Sequence, residues 1–296
     1  MTRIAVMGAG AVGCYVGAML ARAGEQVTLI GRPALQQAVS ADGLRLEKDG
    51  VVETTPARAT TDPAAVAGCD LVFIAVKSAD TATAARAIAP HLDTITTIVS
   101  LQNGISNAAI LTRELGRPTL PCVVYVAVDM ATPGHVTHRG GGRLLLGDGT
   151  GASTTAKRLN AAQIPTTISP DVETALWTKL AINCALNALS ALTRQPYAIL
   201  RDHPDTTATF AAILAECTAV ARASGITLPD DILDQVLHIT HTMPNQLSST
   251  AQDLIAGKPT EIDHLNGEIA RRADALNIPA PLNHALALMV TLNTRP

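Results

Sequence analysis

The run Arg3-Ile4-Ala5-Val6-Met7-Gly8-Ala9-Gly10-Ala11-Val12-Gly13, continued as CYVGAMLARAGEQVTLI to Ile30, decides the fold. Arg3–Met7 reads as a short buried strand, 11–23 as a helix ending before Gly24, and Gln26–Ile30 as a second strand. The glycines lie between first strand and helix, spaced GxGxxG. In that context each has a job: Gly8 permits a tight turn, Gly10 lets backbone approach a pyrophosphate, and Gly13 lets the helix pack on the strand. The free N–H groups and the positive end of the helix dipole then hold the phosphates. Gly8, Ala9, Gly10, Ala11, Val12 and Gly13 are therefore the candidate pyrophosphate cradle. The second strand ends Ile30-Gly31-Arg32 with no acid nearby. An acid there would hold ribose hydroxyls, whereas an arginine suits a 2′-phosphate. Arg32 is the candidate selector of NADP(H); the alternative is a solvated surface arginine.

The pattern continues in the same style. Residues 44–46 and 51–52 flank Asp49-Gly50, a hairpin signal. Leu71–Val76 (LVFIAV) is the continuous apolar run of a strand buried on both faces. A helix is expected over 79–91 and a strand over 96–101. Further strands are expected over 122–128, 135–138 and 143–147, broken by Pro133-Gly134 and Gly140-Gly141-Gly142. Alternating strands and helices imply a parallel sheet with right-handed crossovers. Lys77 and Asn103 follow two of these strands, at the carboxyl edge where open α/β sheets bind ligands. From about Asp171 helical periodicity takes over, in 171–193, 205–224, 230–242, 262–276 and 280–292. The reading is an α/β fold of two domains: a Rossmann-type nucleotide-binding domain over 1–168 and an all-α domain over 169–296.

Composition narrows the function classes. The 296 residues carry 22 Lys plus Arg against 25 Asp plus Glu, a formal charge of −3, so there is no basic footprint for nucleic acid. Aromatics are only 2%, too few for a base-stacking platform, and the core must be aliphatic. The five cysteines contain no CxxC and read as buried thiols in a reducing cytoplasm. No uninterrupted apolar run reaches the roughly 18–20 residues of a bilayer span, so no membrane role is expected. The histidines form no HxH or HExxH pattern, giving no metal site, and there is no GxSxG elbow.

The apolar stretch 175–193 (ALWTKLAINCALNALSALT) carries Lys179, Asn183 and Asn187 at i, i+4 and i+8, one stripe on a helix. A buried amide without partners costs about 1–3 kcal/mol, so a polar ligand facing the stripe, or a wet helix interface, must account for it. A second polar cluster runs Ser248-Ser249-Thr250-Ala251-Gln252-Asp253, in which Ser249 and Asp253 could cap or bind. A third is Thr260-Glu261-Ile262-Asp263, with Thr260 expected as an N-cap and the acids in the first helical turn.

Taken together, GAGAVG at 8–13, VKS at 76–78, LQNG at 101–104, KLAINCALN at 179–187 and SSTAQD…TEIDHLNG at 248–267 resemble the ketopantoate reductase (2-dehydropantoate 2-reductase) family over essentially the whole chain. The resemblance implies a C-terminal domain of the 6-phosphogluconate dehydrogenase C-terminal type and NADPH-dependent reduction of ketopantoate to D-pantoate, in pantothenate biosynthesis. It implies Lys179 as catalytic proton donor and Asn183, Asn187 and Ser249 as substrate-binding residues. Asn103 would contact both cofactor and substrate, and Lys77 and Glu261 the cofactor. Two positions depart from the family: Tyr197 stands where an asparagine is often offered to the substrate, and Ala188 where a proline is common. Two alternatives stay open: a paralogous NADPH-dependent reductase of another 2-oxo acid or secondary-metabolite ketone, and a non-catalytic dinucleotide sensor. The partners expected are a small 2-oxo acid and a second copy in a homodimer, with no nucleic acid or membrane.

Overall fold

The computed structural model describes residues 1–294 and divides the chain into two compact units, Met1–Val172 and a second beginning at Glu173. The first unit runs β1 (Arg3–Met7), α1 (Ala11–Arg22), β2 (Gln26–Ile30), α2 (Pro33–Asp42), β3 (Leu44–Lys48), β4 (Val51–Thr55), β5 (Arg58–Thr60), β6 (Leu71–Ile74), α3 (Thr81–Ile88), β7 (Thr97–Ser100), α4 (Asn107–Leu115), β8 (Leu120–Thr132), β9 (His135–Gly147), α5 (Ala152–Ala161) and β10 (Thr166–Ser169). Strands β5, β2, β1, β6, β7 and β8 lie side by side in that order, every neighbouring pair parallel. This is the doubly wound Rossmann order, with its switch point between β1 and β6. Beyond β8 the sheet turns mixed: β8–β9 antiparallel, β9–β3 parallel, β3–β4 antiparallel, and β10 parallel to β9.

The two-residue period of the strands distributes the core to both faces. Ile4, Val6, Phe73 and Val99 point to one face, packed with α1 and with Ala152, Ala156 and Leu159 of α5. Ala5, Val72, Ile74 and Ile98 point to the other, packed with Ala85 and Ile88 of α3 and Leu111 of α4. This is why LVFI is apolar at every position: all four residues are buried. At roughly 25 cal/mol per Å² of apolar surface, such burial is the main term holding the unit together.

The second unit is helical. The helix α6 (Val172–Thr193) leads into it, followed by α7 (Tyr197–Asp202), α8 (Thr206–Ala223), α9 (Ile232–Thr242), α10 (Ser249–Ile255), α11 (Asn266–Leu276) and α12 (Pro281–Asn293). Helix α8 packs on α9, α11 and α12, and α7 on α8 and α9. Phe210, Ile213, Cys217 and Val220 of α8, Ile269 and Ala273 of α11, and Val290 of α12 are fully buried. By length and apolar character α6 could cross a bilayer, but 67% of its apolar stretch is buried inside the protein, the mark of a core helix.

Several expectations need correction. Pro133-Gly134 is a hairpin turn, but the glycines 140–142 do not interrupt the pairing. They bulge one continuous strand, β9, against β8, with register shifts between Tyr125 and Val126 and between Ala127 and Val128. An added Cβ at Gly141 (φ +69°) would lie 2.4 Å from Tyr125 O, so the bulge requires glycine there. The helix expected over 79–91 is α3 flanked by 3-10 turns. The helix expected over 262–276 begins only at Asn266, preceded by a 3-10 turn capped by Glu261, so Thr260 is not its N-cap. At α10 the capping side chain is Ser248, which accepts from Ala251 N–H at 3.0 Å, rather than Ser249.

Candidate functional site

The glycine loop is built by contacts, not by flexibility. Gly8 sits at φ +98°, and a Cβ there would lie 2.3 Å from Val76 N and 2.5 Å from Ala75 C, on the backbone leaving β6. Gly13 would place a Cβ 2.5 Å from Gly8 O, so helix and turn touch through hydrogen alone. At Gly10 an added Cβ meets nothing within 4 Å. The loop is pinned to the end of β2: Gly8 and Ala9 both donate to Ile30 O, at 3.0 and 3.1 Å. Cys14, its thiol pushed up to about 12 by burial, donates to Ala9 O at 3.3 Å and secures the loop from beneath. The first bond of the turn is Cys14 N–H to Gly10 O, which leaves the N–H groups of Ala11, Val12 and Gly13 without an acceptor among the described residues. No acid stands in the first turn of α1. Open space over Gly10, unpaired donors and the helix dipole fit a dinucleotide pyrophosphate.

Arg32 caps α2 just beyond that loop. Gly31 N–H bonds to Thr60 O at 2.9 Å, fixing the turn. The Arg32 side chain is exposed, with no hydrogen bond or ion pair to another described residue. A guanidinium beside a pyrophosphate cradle and not used by the protein itself suits a second phosphate.

Lys77 and Asn103 end the next two strands, and a buried polar clamp joins their loops. Gln102 donates to Val76 O (3.0 Å) and to Thr81 Oγ1 (2.7 Å), and its own carbonyl accepts from Ser100 Oγ. Thr81 Oγ1 donates to Asn107 Oδ1 at 2.8 Å; Asn107 Nδ2 donates to Ser78 Oγ at 3.1 Å and to Asn103 O. Ser78 Oγ also donates to Asn103 O, at 3.0 Å. Ser78, Thr81, Gln102 and Asn107 are all buried. The sequence reading found Lys77 and Asn103 but not the four residues that hold them. The signal was present as polar residues immediately outside LVFIAV and within LQNG.

In the helical unit Lys179, Asn183 and Asn187 lie four residues apart along α6. Lys179 and Asn183 are half-buried and Asn187 buried. The Asn183 side chain bonds to no other described residue. Asn187 Nδ2 donates to Thr250 Oγ1 at 3.3 Å and lies 3.5 Å from Ser249 Oγ, so the start of α10 is brought onto the stripe. Ser248 reinforces the junction, donating to Asn187 O (3.2 Å) and giving its N–H to Ser190 Oγ (3.2 Å). Thr250, Ser248 and Ser190 are a buried scaffold; the first two belong to the polar cluster 248–253, where the sequence gives a role only to Ser249 and Asp253, and Ser190 carries no signal of its own. Glu261 caps the 3-10 turn 262–264 and is half-buried. Among the described residues no three His, Cys, Asp or Glu side chains gather to hold a metal, and all five cysteines are buried and unbridged.

The arrangement offers phosphate donors in the first unit. In the second it offers a row of neutral amides and hydroxyls with one lysine. That is the equipment for holding a dinucleotide and a small polar acid and for delivering a proton to oxygen.

Comparison with known proteins agrees. The family "Ketopantoate reductase PanE/ApbA" matches residues 4–151, and its C-terminal counterpart matches residues 171–293. The 2-dehydropantoate 2-reductase of Halobacterium salinarum is 32% identical, covering 99% of both chains. A crystal structure of a PanE/ApbA family ketopantoate reductase from Ralstonia eutropha is 49% identical, with a TM-score of 0.95 over 99% of this chain and 98% of that one. A 2-dehydropantoate 2-reductase structure from Geobacter metallireducens is 28% identical, with a TM-score of 0.91 over 98% of this chain and 99% of its own. With both halves of the fold matched and relatives aligned end to end, the chain belongs to the ketopantoate reductase family.

Proposed function

We propose that the protein is an NADPH-dependent oxidoreductase that reduces 2-dehydropantoate (ketopantoate) to D-pantoate. The observation that carries the reading is the row Lys179, Asn183, Asn187 on a helical stretch, 179–187, otherwise built of Ala, Leu, Ile and Cys, with Ser249 drawn to its far end. The glycine loop from Gly8 to Gly13 and the α1 N-terminus hold the pyrophosphate, and Arg32 holds the 2′-phosphate. Lys77, Asn103 and Glu261 complete the cofactor contacts. Bound NADPH supplies the hydride. Asn183, Asn187 and Ser249 orient the 2-oxo acid, with Asn103 at its edge. Lys179 gives its Nζ proton to the keto oxygen as negative charge develops there, and its positive charge stabilises that oxygen beforehand. Homodimer assembly and a cytoplasmic location belong to the same reading. The apolar side chains of Leu288, Met289 and Leu292, exposed on α12, support the dimer, and the five buried free thiols support a reducing compartment.

The test is ketopantoate-dependent loss of NADPH absorbance, in the wild type and in Lys179→Ala. Removing a general acid costs about 10²–10⁴-fold in kcat, while NADPH affinity, read by fluorescence titration, stays unchanged. A Lys179→Ala enzyme that turns over like the wild type overturns the assignment. Tyr197, buried at a position where the family often offers an asparagine, favours one second reading: reduction of a different 2-oxo acid. A substrate panel decides between the two. Binding of NADPH without reduction of any member would instead point to a dinucleotide sensor.

A further inference from the structure

Asn266 closes the run TEIDHLN and opens α11, five residues after Glu261. It is fully buried, as is Asn283 in the first turn of α12. A neutral amide in such a place is costly unless its donors and its acceptor are all paired. Asn266 is paired through its nitrogen only. Its Nδ2 donates to Asn283 Oδ1 at 3.0 Å and to Cys184 O at 3.1 Å, whereas its Oδ1 is sealed from solvent with no partner among the described residues. A leucine would fill the same space without that orphan acceptor. Packing therefore does not account for an asparagine here; what the amide adds is the bond to α6.

The direction of that bond is set from α8. The Glu216 carboxylate only accepts. It takes the N–H groups of Leu282 and Asn283 at the start of α12, each at 2.9 Å, and Asn283 Nδ2 at 2.8 Å. With its Nδ2 on Glu216, Asn283 presents Oδ1 to α11, where Asn266 Nδ2 donates to it and Cys217 Sγ adds a long contact at 3.9 Å. Asn266 is left one N–H, which goes to Cys184 O. That carbonyl lies inside α6, where one lone pair serves the helix ladder and the second is open to a side chain. Cys184 follows Asn183 directly and precedes Asn187 by three residues, so the tie falls between the two amides of the row.

We propose that Asn266 is a positioning residue for the substrate: oriented by Glu216 through Asn283, it holds α6 at Cys184 and so fixes where Asn183 and Asn187 present their amides. The inference rests on the assignment of those two amides to the 2-oxo acid. Sealed from solvent, Asn266 itself touches neither substrate nor cofactor. It acts through alignment, and a binding group misplaced by about 1 Å costs up to about 100-fold.

The experiment compares wild type, Asn266→Leu, Asn283→Leu and the double variant in ketopantoate reduction, each well below its melting temperature. In Asn266→Leu, kcat/KM for ketopantoate falls about 10–100-fold, mostly in KM. Calorimetric affinity of the NADP-loaded protein for pantoate falls with it, while NADPH affinity, read by fluorescence titration, is unchanged. Asn283→Leu keeps the bond from Asn266 to Cys184 but releases its orientation, so its loss is smaller. Because Asn283 acts through Asn266, the double variant is no worse than Asn266→Leu, whereas independent defects multiply. A merely structural role makes activity follow melting temperature and makes the losses multiply. Either pattern overturns the inference, as does wild-type kcat/KM in Asn266→Leu. If Asn266→Leu does not fold, Asn283→Leu decides: weaker pantoate binding with unchanged NADPH affinity supports the inference, and wild-type pantoate affinity overturns it. A wild type that does not reduce ketopantoate defeats the underlying reading instead.

Discussion

Gly8 and Gly10 stand two residues apart in one loop, yet the structure separates their roles. Consider each replaced by alanine. At Gly8 the φ of +98° costs a non-glycine residue about 1–2 kcal/mol. The new methyl lands 2.3 Å from Val76 N, where backbone, not a flexible side chain, must yield. Overpacking of that kind costs about 1–3 kcal/mol. The sum is about 2–5 kcal/mol, or a melting temperature lowered by about 4–20 °C for a unit of this size. At Gly10 the φ is −80° and no atom lies within 4 Å, so the only folded-state penalty is a poorer N-cap, at most about 1 kcal/mol. The same methyl occupies the space a pyrophosphate needs. Loss of one or two charge-assisted bonds, about 1.5–3 kcal/mol each, weakens NADPH binding by at least tenfold. Melting curves and NADPH fluorescence titration on both variants form the assay. Wild-type NADPH affinity in Gly10→Ala would refute the cradle; a melting temperature as low as that of Gly8→Ala would refute the packing argument.

Other outcomes follow from the same geometry. Arg32→Ala weakens NADPH by about 10–150-fold, the worth of a charge-assisted bond at about 1.5–3 kcal/mol, while NADH changes little; equal losses in parallel titrations reject Arg32 as the phosphate selector. Asn107→Leu strips the clamp of its centre and leaves Thr81 and Ser78 short of partners, at about 1–3 kcal/mol. Its melting temperature should fall and the KM for NADPH rise, and an unmoved melting curve would show the clamp to be dispensable. Burial pushes the Glu25 carboxyl up, but the Thr2 N–H at 2.7 Å and the Arg158 guanidinium at 2.8 Å outweigh it and hold the group below the ordinary glutamate range. A lowered folded-state value stabilises above the unfolded value of about 4.5 and is lost as pH falls through the folded one. Melting temperatures of wild type and Glu25→Gln should therefore differ at neutral pH and converge in acid; a constant gap would contradict the pairing.

Much of the architecture was legible because periodicity and burial coincide. RIAVM, QVTLI and LVFIAV are apolar where strands are covered on both faces, and the polar stripe on α6 is conspicuous against alanine and leucine. Helices α2, α4 and α5 leave little periodic signal in the sequence because they are short and cover the sheet with few apolar residues each: Leu35 and Val39, Leu111, and Ala152 with Leu159. Strand β9 looks like two strands in the sequence because a triple glycine ordinarily ends a strand. Only the partner β8 shows that it bulges instead. Within the candidate site, Arg32, Asn103 and the α6 row could be named from residue type and position. Gln102 shows only as a member of LQNG, and Thr81 and Asn107 not at all, since their importance lies in bonds between loops 21–29 residues apart. The choice of Ser248 over Ser249 as helix cap is likewise a matter of one φ/ψ pair that no composition encodes.

The hairpin partner β4 terminates one side of the sheet, with Val51 and Val52 turned outward at 58% and 52% exposure. A strand with one unpaired row of amides and two bare valines is a template on which a foreign chain can lie down. What stands guard is Glu53 between them and Thr54, salt-bridged to Arg22 at 3.1 Å, with Lys48 and Asp49 at the bend. Any newcomer must dehydrate those charges first. Concentrated salt screens such a fence without touching the valines, so strong brine leaves this edge barer than dilute buffer does.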